Sequence, residues 1–94
     1  MKKASELGEK DFLRIAKAVA DPRRFDILQR IASNKELACS ALRDELPITP
    51  ATLSHHLKEL HDAGLLEIRK ESKCIHMKLR RDVWKKYLAK LKKI

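Results

Sequence analysis

A mainly α-helical fold carrying a small β-hairpin is predicted by three observations. The stretch from Thr49 to Ala63 has the caps and leucine spacing of an amphipathic helix. Two runs of alternating apolar and charged residues, Leu65–Lys70 and Cys74–Leu79, follow at once and are separated by Glu71-Ser72-Lys73. Further helical stripes lie on both sides of this segment, giving the order α-α-β-α-α-β-β-α. A helix with a polar face followed directly by a β-hairpin is the layout of a winged helix-turn-helix.

The first helix runs from Glu9 to Val19, where Phe12, Ile15, Ala16 and Val19 fall on one stripe. Asp21-Pro22 starts a second helix, with the carboxylate as N-cap and proline at the first position, where its missing donor costs nothing. That helix runs to about Ser33 with Phe25, Ile27, Leu28 and Ile31 as its core side. Glu36 to Cys39 is a short extended piece. Ser40 is read as the N-cap of a third helix, Ala41 to Leu46, with Leu42 and Leu46 inward. Pro47-Ile48 makes the turn, and Ile48 fills the corner.

The fourth helix carries the most information. Thr49 is its N-cap and Pro50 its first residue, and Gly64 ends it in the position that favours a left-handed backbone. Leu53, Leu57 and Leu60 form the buried stripe. The other face holds Ala51, Thr52, Ser54, His55, Lys58 and Glu59, small or hydrogen-bonding side chains suited to base edges and phosphates. His56 lies beside the leucines and is read as a packed, hydrogen-bonded histidine. In the hairpin, Ile75, Met77 and Leu79 are expected to face in, with Cys74, His76 and Lys78 out. A last helix from about Asp82 carries Val83, Trp84, Tyr87, Leu88 and Leu91 on one side.

Ninety-four residues make one domain, 1–94, whose small core buries roughly 60–70% of the unfolded surface. The net charge of +9 and pI near 9.8 favour a polyanionic partner. With only Phe12, Phe25, Trp84 and Tyr87 for stacking, double-stranded DNA is a better partner than a single strand. The amino terminus, MKKASELGEKDF, lacks the apolar region of a signal peptide, and no run approaches the roughly 18 apolar residues that span a membrane. A cytoplasmic location with reduced thiols follows as the expectation.

Three segments resemble the ArsR/SmtB family of bacterial repressors. AKAVADPRRFDILQRIA (Ala16–Ala32) resembles the family's lead-in to its second helix. TPATLSHHLKELHDAGLLEIRKE (Thr49–Glu71) resembles its recognition helix and first wing strand, including the Ser-His-His-Leu signature. The wing and an amphipathic last helix follow at the expected distance. The resemblance implies a homodimer built on the first and last helices, through Phe12, Ile15, Ala16, Val19, Trp84, Tyr87, Leu88 and Leu91. So much apolar surface on two end helices independently allows this, although the stripes could also pack on their own domain. A dimer would offer two recognition helices to half-sites one helical turn apart, hence an imperfect palindrome. The resemblance points to Thr49, Ala51, Thr52, Ser54 and His55 as major-groove and phosphate contacts and to Lys58 as a phosphate contact. Arg69, Lys70, Lys73 and Lys78 would reach the flanking backbone or minor groove from the wing.

The family's usual sensing sites are not matched. Where a Cys-Val-Cys-Asp motif would open the third helix, this chain has Ala38-Cys39-Ser40-Ala41, so both ligand cysteines are replaced. Soft metals want several sulfurs, and one thiolate does not suffice. The last helix, DVWKKYLAKLKKI, puts lysines where the other common site has Asp and His ligands. No metal site and no cofactor is expected, and the effector is open. Cys39 and Cys74 could form a redox pair only if their Cα atoms came within about 7 Å. Alternatives are a winged-helix protein-interaction module, and a membrane-surface role for the lysine-rich end, KKYLAKLKKI. An enzyme is disfavoured, since no paired carboxylates, base-activated nucleophile or glycine-rich phosphate loop is visible.

Overall fold

Side-chain caps at Asp21 and Thr49 start two of the helices at the points where the sequence places them. The computed structural model describes residues 6–94, so part of the amino-terminal stretch weighed as a signal peptide lies outside the described residues. Helices α1 (Glu9–Val19) and α2 (Pro22–Ala32) are separated by Asp21, whose carboxylate accepts from the Arg23 and Arg24 backbone N–H groups at 2.9 and 3.0 Å. Those donors hold the Asp21 carboxyl below its ordinary range, the Arg24 N–H foremost. Strand β1 (Leu37–Ala38) leads into α3 (Cys39–Glu45), and α4 (Pro50–Asp62) follows. Strands β2 (Leu66–Glu71) and β3 (Cys74–Leu79) form the hairpin, and α5 (Arg81–Lys92) closes the chain.

The sheet order is β1-β3-β2, antiparallel throughout. Leu37 stands opposite Met77 and Ala38 opposite His76, while β2 and β3 pair from Leu66↔Leu79 to Glu71↔Cys74. This pairing corrects the start of α3. Ala38 is held extended by β3 (φ −77°, ψ 143°), so the helix begins at Cys39 with no side-chain cap, and Ser40 lies inside it.

Ile15, Ile27, Ile31, Leu42, Leu53, Leu60, Leu65 and Met77 are fully buried and form the centre of one cluster. Three sequence expectations fail here. Phe25 is 39% exposed: it neighbours Leu28 one turn away but lies on the flank of α2 turned from Ile27 and Ile31. Ile75 is also exposed: it lines a groove beside α4, and in its strand only Met77 and Leu79 are buried. Ile15 and Tyr87, expected on an intersubunit surface, are buried within the protomer itself.

The end helices meet through aromatic side chains. The Phe12 and Tyr87 ring centroids are 5.2 Å apart, those of Trp84 and Tyr87 5.4 Å, and the Lys90 ammonium lies 5.4 Å from the Phe12 ring centre. Arg81 ties the start of α5 to the end of α2 by donating to the Ala32 carbonyl at 2.8 Å. Leu13, Leu88, Leu91 and Ile94 remain exposed on these two helices and the chain end.

Candidate nucleic-acid interface

Helix α4 is fixed from both ends and from behind, leaving its outer face free. At its start the Thr49 hydroxyl accepts from the Thr52 N–H at 3.1 Å and donates to the Thr52 hydroxyl at 2.9 Å. Both threonines are exposed but engaged with each other, so their first task is capping. At its end Gly64 adopts φ +85° and its N–H reaches the His61 carbonyl at 2.9 Å. Leu53, His56, Leu57 and Leu60 are the buried side.

His56 is packed as the sequence suggests. A guanidinium nitrogen of Arg24 stands 3.5 Å from its Nδ1, and the same guanidinium donates through Nε to the Ala18 carbonyl at 2.7 Å. Arginine can only donate, so this contact suits the neutral ring with its proton on Nε2. Burial is the main force pushing the His56 pKa below its ordinary value, with Arg24, His55 and Arg23 adding to it and Asp21 opposing. The sequence showed a histidine beside leucines but not its partner, which lies 32 residues away.

The exposed face presents Ala51, Thr52, Ser54, His55 and Lys58 together. Lys58 is already paired with Asp62 at 2.7 Å, which holds its pKa above the ordinary lysine value. The wing supplies Lys70 and Lys73, both exposed near the hairpin tip. Arg69 is differently placed. Its guanidinium contacts Glu36 at 2.7 and 3.1 Å and Glu71 at 2.8 Å, so it braces the wing's outer face. These contacts hold both carboxyls below their ordinary range. Lys78 lies 3.9 Å from Glu67 across the same hairpin. The pairing of Arg69 with Glu36 was not legible locally, because the sheet order brings the two together.

Between α4 and the wing runs an apolar groove of about 290 Å³, lined by Cys39, Ser54, Leu57, His61, Ile68 and Ile75. Cys39 and Cys74 are both free thiols, the first half-buried and the second exposed. No helix among the described residues is long and apolar enough to cross a membrane.

A family model described as a helix-turn-helix domain matches residues 19–69, which include α2, α3, α4 and most of β2. The HTH-type transcriptional regulator YceK of Bacillus subtilis (strain 168) is 37% identical over 75 residues, covering 79% of this chain and 75% of that protein. The arsenical resistance operon repressor of Staphylococcus xylosus is 36% identical over 64 residues, covering 68% of this chain and 61% of that protein. Among solved structures, the homodimeric winged helix-turn-helix DNA-binding domain Mb0332 from Mycobacterium bovis, a possible ArsR-family transcriptional regulator, superposes with a TM-score of 0.73. It is 28% identical, with 85% of this chain and 74% of that chain covered. The polar-faced helix, the adjoining hairpin and these likenesses agree, and the chain belongs to the ArsR family of helix-turn-helix DNA-binding transcriptional regulators.

Proposed function

We propose that the protein acts as a homodimeric repressor that reads an imperfect palindrome in double-stranded DNA. The observation that carries this reading is the exposed face of α4. Five small, polar or basic side chains are displayed there while every leucine of the helix is buried. Ala51, Ser54 and His55 are the base-edge candidates, since a small or hydrogen-bonding group can approach the major groove closely. Thr49, Thr52 and Lys58 serve the neighbouring phosphates, and Lys70 and Lys73 reach the flanking backbone from the wing. Arg69 and Lys78 contribute charge to the wing from within ion pairs.

The homodimer is supported by exposed Leu13, Leu88 and Leu91 on α1 and α5, with half-buried Phe12, Ala16, Val19 and Trp84 beside them. Ile15 and Tyr87 back that surface from inside the protomer. It is further supported by the described homodimeric state of the M. bovis relative. The effector site is not assigned, because Ala38 and Ser40 stand where the family's cysteine ligands would be.

An electrophoretic mobility assay with the protein's own promoter region tests the reading. Retarded complexes that resist non-specific competitor and weaken steeply with salt are expected. Binding that is indifferent to sequence, or operator binding that survives replacement of both Ser54 and His55 by alanine, overturns it.

A further inference from the structure

Helix α4 has two flanks, and only one of them adjoins the wing. Ser54 and His61 look across the apolar groove toward Ile68 and Ile75 of the hairpin. On the opposite flank Glu59 borders a second cleft, of about 240 Å³, whose other walls are Arg14 and Lys17 of α1, Ala18, and Arg24 of α2. Three cations therefore face one carboxylate beside the exposed helix.

Two of these cations, Arg14 and Lys17, make no ion pair among the described residues, although the charge of Arg14 also acts on the Asp62 carboxyl of α4. Arg24 is anchored through Nε to Ala18 and through one terminal nitrogen to His56, which fixes the guanidinium in the cleft wall. Helix α1 thus divides its labour. Phe12 packs toward Tyr87 of α5, and Arg14 and Lys17 line the side toward α4.

We infer that this cleft receives a backbone phosphate of the bound duplex, on the side of α4 away from the wing. The assignment rests on the DNA-reading role of α4 proposed above. Its argument is continuity: Glu59 is one helical turn from His55, so a duplex lying on the exposed face extends across both flanks. Wing lysines hold the backbone on one side, and Arg14 and Lys17 hold it on the other. The excess of cations over Glu59 leaves the cleft positive enough for a phosphate, which an arginine–lysine pair can clamp without base specificity.

The test is the salt dependence of operator binding by wild type, by Arg14→Gln/Lys17→Gln, and by Lys85→Gln/Lys92→Gln on α5. All four positions are helical, where glutamine is well tolerated, and matched circular dichroism confirms the fold. Each phosphate contact contributes about 0.9 to the log–log slope. One contact per protomer of a dimer therefore predicts a slope shallower by about 2 for Arg14→Gln/Lys17→Gln. The α5 variant should keep the wild-type slope and sequence preference. An unchanged slope in Arg14→Gln/Lys17→Gln, with wild type binding normally, overturns the cleft assignment alone. Failure of wild type to bind any operator overturns the DNA reading and the cleft with it. A second arm titrates inorganic phosphate into the free protein by NMR. Saturable shifts at Arg14 and Lys17, combined with an unchanged DNA slope, would give the cleft to a free anion instead.

Discussion

The Arg24 guanidinium bridges α1 and α4, standing 2.7 Å from the Ala18 carbonyl and 3.5 Å from Nδ1 of His56. The helix proposed to read DNA is thereby tied to its neighbours from behind. Protonating His56 would turn its acceptor into a donor facing a cation. Asp21, Arg23, Arg24 and His55 are the charged or titratable groups that act on it. Since the folded state lowers the His56 pKa, the unfolded chain binds more protons around and below the ordinary histidine value. Stability from this residue is complete above about pH 6.5 and declines as pH falls toward the lowered value. Urea titrations between pH 7.5 and 5.5 should show wild type losing stability on acidification, and His56→Gln should flatten that decline. An equal decline in both proteins would refute the assignment. Replacing Arg24 by alanine should cost about 1–3 kcal/mol by leaving the Ala18 carbonyl and His56 without their donor.

The wing cations are not equivalent. Lys73 is exposed near the tip, whereas Arg69 is engaged by Glu36 and Glu71. Lys73→Ala should lower the salt slope of DNA binding by about 0.9 for each subunit whose contact is lost. Arg69→Ala should change that slope less and should loosen the hairpin, seen as faster amide exchange along β2. A larger slope change for Arg69→Ala than for Lys73→Ala would show that Arg69 leaves its carboxylates to meet DNA.

Folding and assembly should separate on the end helices. Ile15 is fully buried, and Ile15→Ala should destabilise the fold by about 2–5 kcal/mol. Leu88 is 42% exposed, so Leu88→Lys should leave the protomer folded yet weaken the proposed homodimer. The loss of a central apolar anchor is worth about 2 kcal/mol or more, roughly a thirtyfold rise in dimer Kd. Sedimentation equilibrium reads the second effect and thermal unfolding the first. A Leu88→Lys protein that remains as dimeric as wild type would move the interface elsewhere.

Two turn positions carry opposite expectations. Gly64 sits at φ +85°, where a side chain is strained even though no neighbour lies within 4 Å of the missing Cβ. Gly64→Ala should cost about 1–2 kcal/mol. Ser72, at φ 58° in the hairpin turn, has the same backbone problem with its side chain already present. Ser72→Gly should be neutral or stabilising by up to about 1 kcal/mol. Denaturant midpoints for the two variants should move in opposite directions, or Ser72→Gly should not move at all.

Much of the fold was legible in the chain because its signals are local. Asp21-Pro22 and Thr49-Pro50 mark helix starts with their own side chains, and the Leu53, Leu57, Leu60 stripe defines a buried face within two turns. Alternation in β2 and β3 and the turn between them needed no distant partner. The charge of +9 and the polar residues on one face of α4 point to DNA from the sequence alone. The start of α3 was not legible, because β1 pairing rather than Ser40 decides it.

What the sequence by itself determined was the order of elements, the Asp21 and Thr49 caps and the polar face of α4, since these depend on residues three to seven positions apart. Tertiary structure alone decided which apolar stripe residues the protomer keeps for itself, burying Ile15 and Tyr87 while leaving Leu88 and Leu91 outside. It also decided which cations are committed, setting Arg69 against Glu36 and Arg24 beside His56. Those outcomes depend on packing and pairing between segments more than 30 residues apart, where local periodicity carries no information.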